Sequence, residues 1–321
     1  MNAIKSKLTL LLLGCALLGG ARAAYPDHPV RVIVPFPPGG ATDIVGREIA
    51  DKLSRSMGQP FVVENRSGAS GNIGMEAAAR AAPDGYTLVV GAPQTLTINP
   101  QLMSMTFDPQ KELAPVVVIA SVPNVLIVNP KLPVKSVGEL IALAKKEPGQ
   151  LDYGSSSIGG TPHLSAELFK SMTDTRIVHV PYRGSGPALT DLMGGQIDLM
   201  FDNLPAALPH VKSGKVRALA VTTTQRTQSA PDLPTLAESG LPGFDSEGWF
   251  ALLAPAGTPE AVLEKINAEV NRILQTDDFR ERLAKVGAEP VGGSRADFQA
   301  RIRDETQRWG KVIRTANIKA E

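Results

Sequence analysis

The chain has 321 residues, of which 43% are hydrophobic and 20% are charged, and its formal net charge is +1 at pH 7. This composition excludes a disordered or fibrous protein, and the length predicts two domains of ordinary size. A charge this close to neutral argues against nucleic acid as a partner, because phosphate binding requires a basic surface.

Residues 1–23 have the pattern of a secretory signal peptide. Two lysines precede an apolar run over Leu8–Leu18, and Ala21–Ala23 supplies the small residues of a cleavage site. We therefore expect a periplasmic protein that is cleaved after Ala23. Cys15 lies in a weak likeness of a lipoprotein cleavage box, but the apolar run continues past it, so lipidation is the less favoured alternative. Cleavage would leave no cysteine, and hence no disulfide.

Strands and helices alternate along the remaining chain, which predicts an α/β fold with mostly parallel sheets flanked by helices. The predicted strands are 30–34, 61–64, 86–90, 116–120, 125–128, 151–153, 177–180, 197–201, 216–221 and 249–253. The predicted helices are 42–57, 73–82, 137–146, 163–172, 187–193, 205–212, 259–274, 278–286 and 296–315. We assign the late strand to the first of two lobes. Lobe 1 then comprises residues 24–123 and 249–321, and lobe 2 comprises residues 124–248.

Two glycine-rich turns each follow a short strand and open a helix. The first is Pro35–Asp43, and the second is Ser155–His163. A helix N-terminus presents unpaired N–H groups and a partial positive charge, so each turn is a candidate anion site. Two such turns in different lobes predict that one small carboxylic acid is held between them. For the first turn, an ordinary strand-to-helix connection is an equal alternative.

Two further turns repeat this arrangement with less specificity. In Tyr182–Pro187, Ser185 or Gly186 is the expected helix cap, and in Phe201–Pro205 the expected cap is Asn203. Plain capping explains both turns as well as ligand binding does. Arg183 suits a ligand contact or a surface salt bridge equally. Asp202 would repel an anion unless a ligand amine, a cation of the protein or water stood between them.

Catalysis and metal binding lack a specific signature. The serines Ser155–Ser157 do not form the Gly-x-Ser-x-Gly nucleophile motif, so a serine hydrolase is only an alternative. His163 fits a structural helix position better than a catalytic or ligand position. The histidines of the chain lack the spacing of metal ligands, so we expect no metal and no cofactor. A ligand-sensing interaction subunit is the remaining alternative.

An ordered set of segments resembles the tripartite tricarboxylate transporter substrate-binding proteins, often called Bug receptors. The resemblance spans essentially the whole chain after the signal peptide, and the order of the segments makes it specific. The matching segments are Pro35–Asp43, Glu64–Gly74, Pro83–Leu88, Asn99–Pro100, Pro181–Ala188, Gly194–Asp198 and Ala254–Pro259.

The resemblance implies a type II-like, two-lobed periplasmic binding protein that closes on a small carboxylate and delivers it to a large and a small permease subunit in the membrane. Backbone N–H groups, hydroxyls and bridging waters would hold the carboxyl groups, without an obligatory arginine. We expect a monomer. The candidate ligand-binding residues are Phe36, Gly39, Gly40, Ala41, Thr42, Asp43, Ser70, Gln94, Ser155, Ser156, Ser157, Gly159, Gly160, Thr161, His163, Gly184, Asp202 and Asn203. Thr161 is also the expected cap of its helix.

Two positions depart from the family pattern. Ser70 stands where many relatives have glycine, and it adds a hydroxyl near the expected cleft. Gly160 stands where many relatives have a hydroxyl, which leaves Thr161 or the bare backbone to bind the ligand.

Overall fold

In this computed structural model, residues 25–315 and 318–319 are described. The predicted signal peptide, with Cys15 and the cleavage position, lies outside these residues. Within the described ranges, no helix combines the length and the apolar character that a bilayer crossing requires.

The strands and helices follow the predicted alternation. The strands are β1 (Val30–Val34), β2 (Phe61–Asn65), β3 (Thr87–Gly91), β4 (Leu113–Val128), β5 (Asp152–Ser155), β6 (Val178–Pro181), β7 (Leu199–Asn203), β8 (Arg217–Val221), β9 (Glu247–Pro255) and β10 (Glu289–Gly292). The helices are α1 (Ala41–Met57), α2 (Asn72–Ala79), α3 (Asn99–Leu102), α4 (Pro109–Glu112), α5 (Val137–Lys146), α6 (Thr161–Thr173), α7 (Ser185–Gly194), α8 (Leu204–Lys212), α9 (Glu260–Leu274), α10 (Asp277–Lys285) and α11 (Arg295–Thr315). A 3-10 turn (Ala69–Gly71) and a π-helical turn (Gln94–Ile98) complete the order.

The long strand β4 joins two half-sheets. Its first part pairs antiparallel with β9 and β10, and its last part pairs antiparallel with β7 and β8. On the first side, β1 lies parallel to β2 and β3, and β9 runs antiparallel beside β3. On the second side, β5 lies parallel to β6 and β7. The α/β class is confirmed, and the sheet is mixed because β4 and β9 run against their neighbours where the chain passes from one half to the other.

The prediction of two separate strands at 116–120 and 125–128 is wrong. Pro123 pairs with Glu247 of β9, and the next residue, Asn124, pairs with Asn203 of β7, so the ladder has no gap. The strand changes partners between these two residues. The sequence around Pro123 and Asn124 resembles a turn because the strand changes partners at these residues, although the backbone stays extended. The predicted lobe boundary after residue 123 falls at this change of partner, within one strand.

Each half has its own apolar core. In the first half, Val45, Ile49 and Leu53 lie on one face of α1 and are fully excluded from solvent against β1 and β3. In the second half, Phe169 of α6 packs on the opposite side of the sheet from α7 and α8. Met172, near the end of α6, is exposed and lies outside this core.

Candidate anion-binding site

Four helices begin at one cavity, which we call the inner cavity. Their N-cap residues are Gly40 for α1, Gly160 for α6, Gly184 for α7 and Asn203 for α8. All four line this cavity of about 90 Å³, and none makes a side-chain capping hydrogen bond. The first amides of a helix have no partner within it, and the helix dipole places positive charge there. The cavity is therefore surrounded by helix ends that favour an anion.

Two cap predictions need correction, and a third is confirmed in position. Thr161 is the first residue of α6 rather than its cap, and the cap of α7 is Gly184 rather than Ser185 or Gly186. Asn203 holds the predicted cap position of α8, but its side chain makes no capping bond. Glycine at three of the four caps leaves the first amides of those helices without a side-chain capping bond, where a serine or threonine cap would occupy one of them.

The lining of the inner cavity combines residues from both halves of the sheet. It consists of Phe36, Pro37, Pro38, Gly40, Ala41, Thr42, Ala92, Pro93, Gln94, Ser156, Ser157, Gly160, Thr161, Pro162, Gly184, Ser185, Gly186, Pro187, Asn203, Gly248 and Phe250. Of the described residues, no lysine, arginine, histidine or carboxylate takes part in this lining. Recognition of charge there falls to amides, hydroxyls and helix dipoles.

The first turn is held from behind by Asp43. This buried carboxylate accepts hydrogen bonds from the Gly39 amide (3.0 Å), from Arg47 Nε (3.0 Å) and from Asn65 Nδ2 (2.8 Å). Asn65 Nδ2 also donates to the carbonyl of Phe36 (3.0 Å). Burial opposes the charge, but these donors outweigh it and hold the pKa of Asp43 below its usual range. Asp43 thus supports the turn and does not line the inner cavity.

The second turn is held from behind by two histidines. Ser155, which is fully buried, shares a hydrogen bond of 2.7 Å with His179 Nε2, and its hydroxyl donates to the Ser157 carbonyl (3.2 Å). The Gly159 amide donates to His163 Nδ1 (3.1 Å), and the two imidazoles stack with centroids 4.3 Å apart. Burial lowers the pKa of His163 to about 4, so the ring is neutral at pH 7 and can accept this bond.

The two halves are joined across the inner cavity by Gln94. Its Nε2 donates to the Ile158 carbonyl (2.9 Å), and its Oε1 accepts from Ser157 Oγ (2.9 Å). Gln94 begins the π-helical turn after β3, a rare geometry that is frequent at functional sites. This pair of bonds holds the second turn against the first half of the molecule.

A buried polar network backs the second half of the cavity. Asn124 Oδ1 accepts from Asn203 Nδ2 (2.6 Å) and from Thr161 Oγ1 (3.4 Å). A Cβ on Gly248 of β9 would lie 3.2 Å from Thr161 Oγ1 and 3.3 Å from Asn203 Nδ2. The absence of a side chain at Gly248 therefore lets this network approach β9 closely.

A wider chamber of about 640 Å³, here called the outer cavity, adjoins the inner cavity and shares Phe36, Pro37, Ser156, Ser157 and Gly184 with it. Ser70 lines the outer cavity and has a left-handed φ of 55°. Arg183, which is exposed, is the one charged side chain of the described lining, and no salt bridge links it to another described residue.

The candidate residues divide into three groups. Those that line the inner cavity are Phe36, Gly40, Ala41, Thr42, Gln94, Ser156, Ser157, Gly160, Thr161, Gly184 and Asn203. Those that lie behind it are Gly39, Asp43, Ser155, Gly159, His163 and Asp202, and Ser70 lines only the outer cavity. Sequence reasoning missed Gly248 and Phe250, because a strand far along the chain carries no turn motif. Ser185, Gly186 and Pro187 also line the inner cavity. They belong to the turn Tyr182–Pro187, whose sequence is explained equally well by helix capping.

The geometry gives no support to a serine hydrolase. The serine in contact with a histidine is Ser155, which is buried and does not line the inner cavity. Ser157 lines it, but its hydroxyl donates to Gln94 rather than to a base. A nucleophilic serine must both face the substrate cavity and donate its hydroxyl to a base.

Comparison with known proteins gives consistent relatives. The sequence pattern of the family described as "Tripartite tricarboxylate transporter family receptor" matches residues 45–318. Protein BugT of Bordetella pertussis is 42% identical over 297 residues, which are 92% of this chain and 91% of that protein.

Solved structures agree with the sequence match. A structure from R. palustris with adipate superposes with a TM-score of 0.90 at 45% identity, covering 92% of this chain and 99% of that one. MatC from Rhodopseudomonas palustris with bound malate superposes with a TM-score of 0.84 at 34% identity, covering 90% of this chain and all of that one. These neighbours share the two-lobed architecture of periplasmic solute-binding proteins.

Proposed function

Because this chain belongs to the tripartite tricarboxylate transporter receptor family, we propose that it is an exported receptor that captures a small carboxylic acid in the inner cavity. The observation that carries the proposal is the meeting of four helix N-termini, without side-chain caps, around a cavity that no charged side chain lines in the described structure. Such a site selects an anion without a permanent ion pair.

Neutral donors can supply enough affinity. A hydrogen bond to a charged group contributes about 1.5–3 kcal/mol, so four to six of them give roughly 6–18 kcal/mol before costs. Association and ordering of the turns consume several kcal/mol of this. A dissociation constant near micromolar, about −8 kcal/mol, is the expected result. This affinity allows both capture and release, which a transport receptor requires.

Capture proceeds by closure of the two halves around the ligand. Donors in the first half come from the turn at Gly40–Thr42, and donors in the second half come from Ser156, Ser157 and the start of α6. A ligand that contacts both sides favours the closed arrangement by the difference in its affinity for the two arrangements. The bonds of Gln94 to the second turn add to this preference.

The outer cavity supports a dicarboxylate as the ligand class. One carboxylate fits the helix ends of the inner cavity, and a chain leading past Ser156 and Gly184 enters the outer cavity, where Arg183 offers a cation. The two related structures hold adipate and malate, both of which are dicarboxylates. We assign the protein no catalytic role. We further propose that residues 1–23 direct export and that the protein is a monomer. It would deliver its ligand to two permease subunits in the membrane.

A titration against organic acids tests this function. Purified protein without its first 23 residues is titrated calorimetrically with acetate, hexanoate, malate, adipate and citrate. The proposal predicts micromolar binding of at least one dicarboxylate at one site per chain, and no turnover of the bound acid. Absence of binding by every acid, or hydrolysis of an ester analogue of the bound acid, would contradict it. A ligand-free sensor subunit would give the first of these results.

A further inference from the structure

Asp202 has an unusual environment directly behind the inner cavity. It lies on β7 and is fully buried. Its Oδ1 accepts hydrogen bonds from Ser185 Oγ (2.8 Å) and from the Asn203 amide (2.9 Å), whereas its Oδ2 has no partner among the described residues. Both donors belong to residues that line the cavity. The Asp202 carboxylate is therefore hydrogen-bonded directly to two residues that line the candidate anion site.

The second buried carboxylate near the cavity shows what Asp202 lacks. Asp43 accepts bonds at both oxygens and is paired with Arg47 (2.9 Å between Oδ1 and Nη2), which keeps it ionised. Asp202 has no such cation within the described part of the chain, and burial raises its pKa to about 7, although the bonds from Ser185 and Asn203 oppose this. Asp43 and Asp202 each lie behind a turn that lines the cavity. The pKa of Asp43 is lowered, whereas the pKa of Asp202 is raised.

Among the residues that the structure describes, no charged neighbour offsets the burial of Asp202. It lies on the same face of β7 as Met200, toward α7 and α8, because residues two apart on a strand share a face. On these helices the titratable groups are Asp191, which accepts from the Tyr182 hydroxyl, and His210, near the far end of α8. Neither they nor Lys212 contributes to the pKa of Asp202, which depends on burial, Ser185 and Asn203.

A bound carboxylate would act on Asp202 through Ser185. The Ser185 hydroxyl carries one proton, which it donates to Asp202 Oδ1, so a ligand carboxylate at the start of α7 would accept from main-chain amides and lie beside Asp202 across this side chain. A second negative charge in this position disfavours ionisation of Asp202. The ligand would also take up the dipoles of α7 and α8, which favour a negative Asp202 while the cavity holds no anion. Both effects act in the same direction and favour a proton on the carboxyl group.

We propose that Asp202 is a proton-binding site coupled to the inner cavity, so that the protein takes up a proton together with its organic anion. This inference rests on the proposed function, since it requires an anion in the cavity. Oδ2 receives the proton, because Oδ1 already accepts two hydrogen bonds. The bond from Ser185 to Oδ1 is kept, and the ligand then faces a neutral carboxylic acid in place of a second negative charge.

Calorimetry with adipate in buffers of different ionisation enthalpy measures the coupling. At pH 7 a group half protonated in the free protein and fully protonated in the complex takes up about half a proton per adipate. The dissociation constant should rise as the pH increases from 7 to 8, by up to about fivefold. Asp202→Asn should remove both the uptake and this pH dependence.

A matched carboxylate tests the specificity of the effect. Asp198 precedes β7, and burial raises its pKa too, but it accepts from the amide of Asp152, a residue that does not line the inner cavity. Asp198→Asn should keep the proton uptake and the pH dependence of wild type. Loss of uptake in this variant, or uptake in Asp202→Asn equal to that of wild type, would overturn the assignment.

A ligand-free measurement remains decisive if the Asn variant folds poorly. Carbon-13 NMR of the aspartate carboxyl groups in the wild-type protein should show one group that titrates near pH 7 without ligand, and whose midpoint rises when adipate is added. Titration of every aspartate below pH 5, or binding of adipate without a shift, would overturn the inference. Failure of adipate and the other acids to bind would count against the proposed function, and the ligand-free midpoint would still decide the state of Asp202.

Discussion

Ser157 Oγ donates a hydrogen bond of 2.9 Å to Gln94 Oε1, and this bond joins the two halves of the molecule across the inner cavity. The Gln94 amide group also donates to the neighbouring Ile158 carbonyl (2.9 Å), so one side chain holds the second turn by two contacts. The closed arrangement of the cavity thus depends in part on a glutamine that itself lines it.

Replacement of Gln94 by leucine should weaken ligand binding. The variant keeps the size of the side chain but loses both cross-cavity bonds, each worth about 0.5–1.5 kcal/mol, so the dissociation constant should rise roughly tenfold. Calorimetric titration with the acid bound by wild type measures this. Gln150→Leu makes the same change at an exposed position and should leave the affinity unaltered. Equal affinities for wild type and Gln94→Leu would show that the contact does not contribute to capture.

A valine at Gly160 should obstruct the inner cavity. The backbone φ of −68° is normal for any residue, but a Cβ would lie 2.9 Å from Ser157 Oγ and 3.3 Å from Gln94 Oε1. Binding should therefore fall by more than tenfold, while the overall fold persists. Gly138→Ala in α5, where a Cβ meets nothing within 4 Å, should bind normally and gain a few tenths of a kcal/mol in stability. Normal binding by Gly160→Val would place the ligand elsewhere.

Replacement of Arg183 by glutamine should discriminate between ligand classes. In the proposed binding mode the outer cavity takes the second carboxylate of a dicarboxylate, so the variant should lose several-fold affinity for adipate and none for hexanoate. The effect of the wild-type arginine should also decrease at high salt, because the group is exposed. Arg176→Gln, an exposed arginine away from both cavities, provides the control. An equal loss for the two acids would exclude a distal carboxylate contact.

The stability of the protein should fall between pH 6.5 and pH 4 partly because of His163. Burial lowers its pKa to about 4 in the folded protein, against 6.5 for an unperturbed histidine, so the unfolded chain binds the extra proton in this range. The contribution is present above pH 6.5 and is lost as the pH falls toward 4, with an upper limit of about 3 kcal/mol.

Urea unfolding of wild type and His163→Asn at pH 7 and pH 4.5 measures this contribution. The asparagine oxygen can still accept from the Gly159 amide, so the variant should lose less stability on acidification than wild type. An equal loss in the two proteins would mean that protonation of His163 does not affect folding.

Much of the site follows from the sequence because turn chemistry is local. The turn at Pro35–Asp43 and the three serines at 155–157 carry their glycine, proline and hydroxyl patterns in consecutive residues, and both turns line the inner cavity. The family resemblance added the expected pocket and the two lobes.

The remainder depends on contacts that are distant in the chain. The face of a turn that meets the cavity is not encoded locally, so the turn pattern includes Asp43 and Ser155 among the candidate ligand residues, although both support their turns from behind. The π-helical turn at Gln94–Ile98 has no periodic signal, and the continuity of β4 depends on partners from β9 and β7. Gly248 lines the cavity only because β9 crosses behind it.

The most direct test is a crystal structure of the protein with the acid that it binds, from which the distances between carboxylate oxygens and donors are measured. We predict one carboxylate within hydrogen-bond distance of main-chain amides at Gly40–Thr42 and of amides or hydroxyls at Ser156–Thr161, without a charged side chain in contact. A carboxylate bound only by Arg183 or by another cation, with these amides facing solvent, would contradict the account.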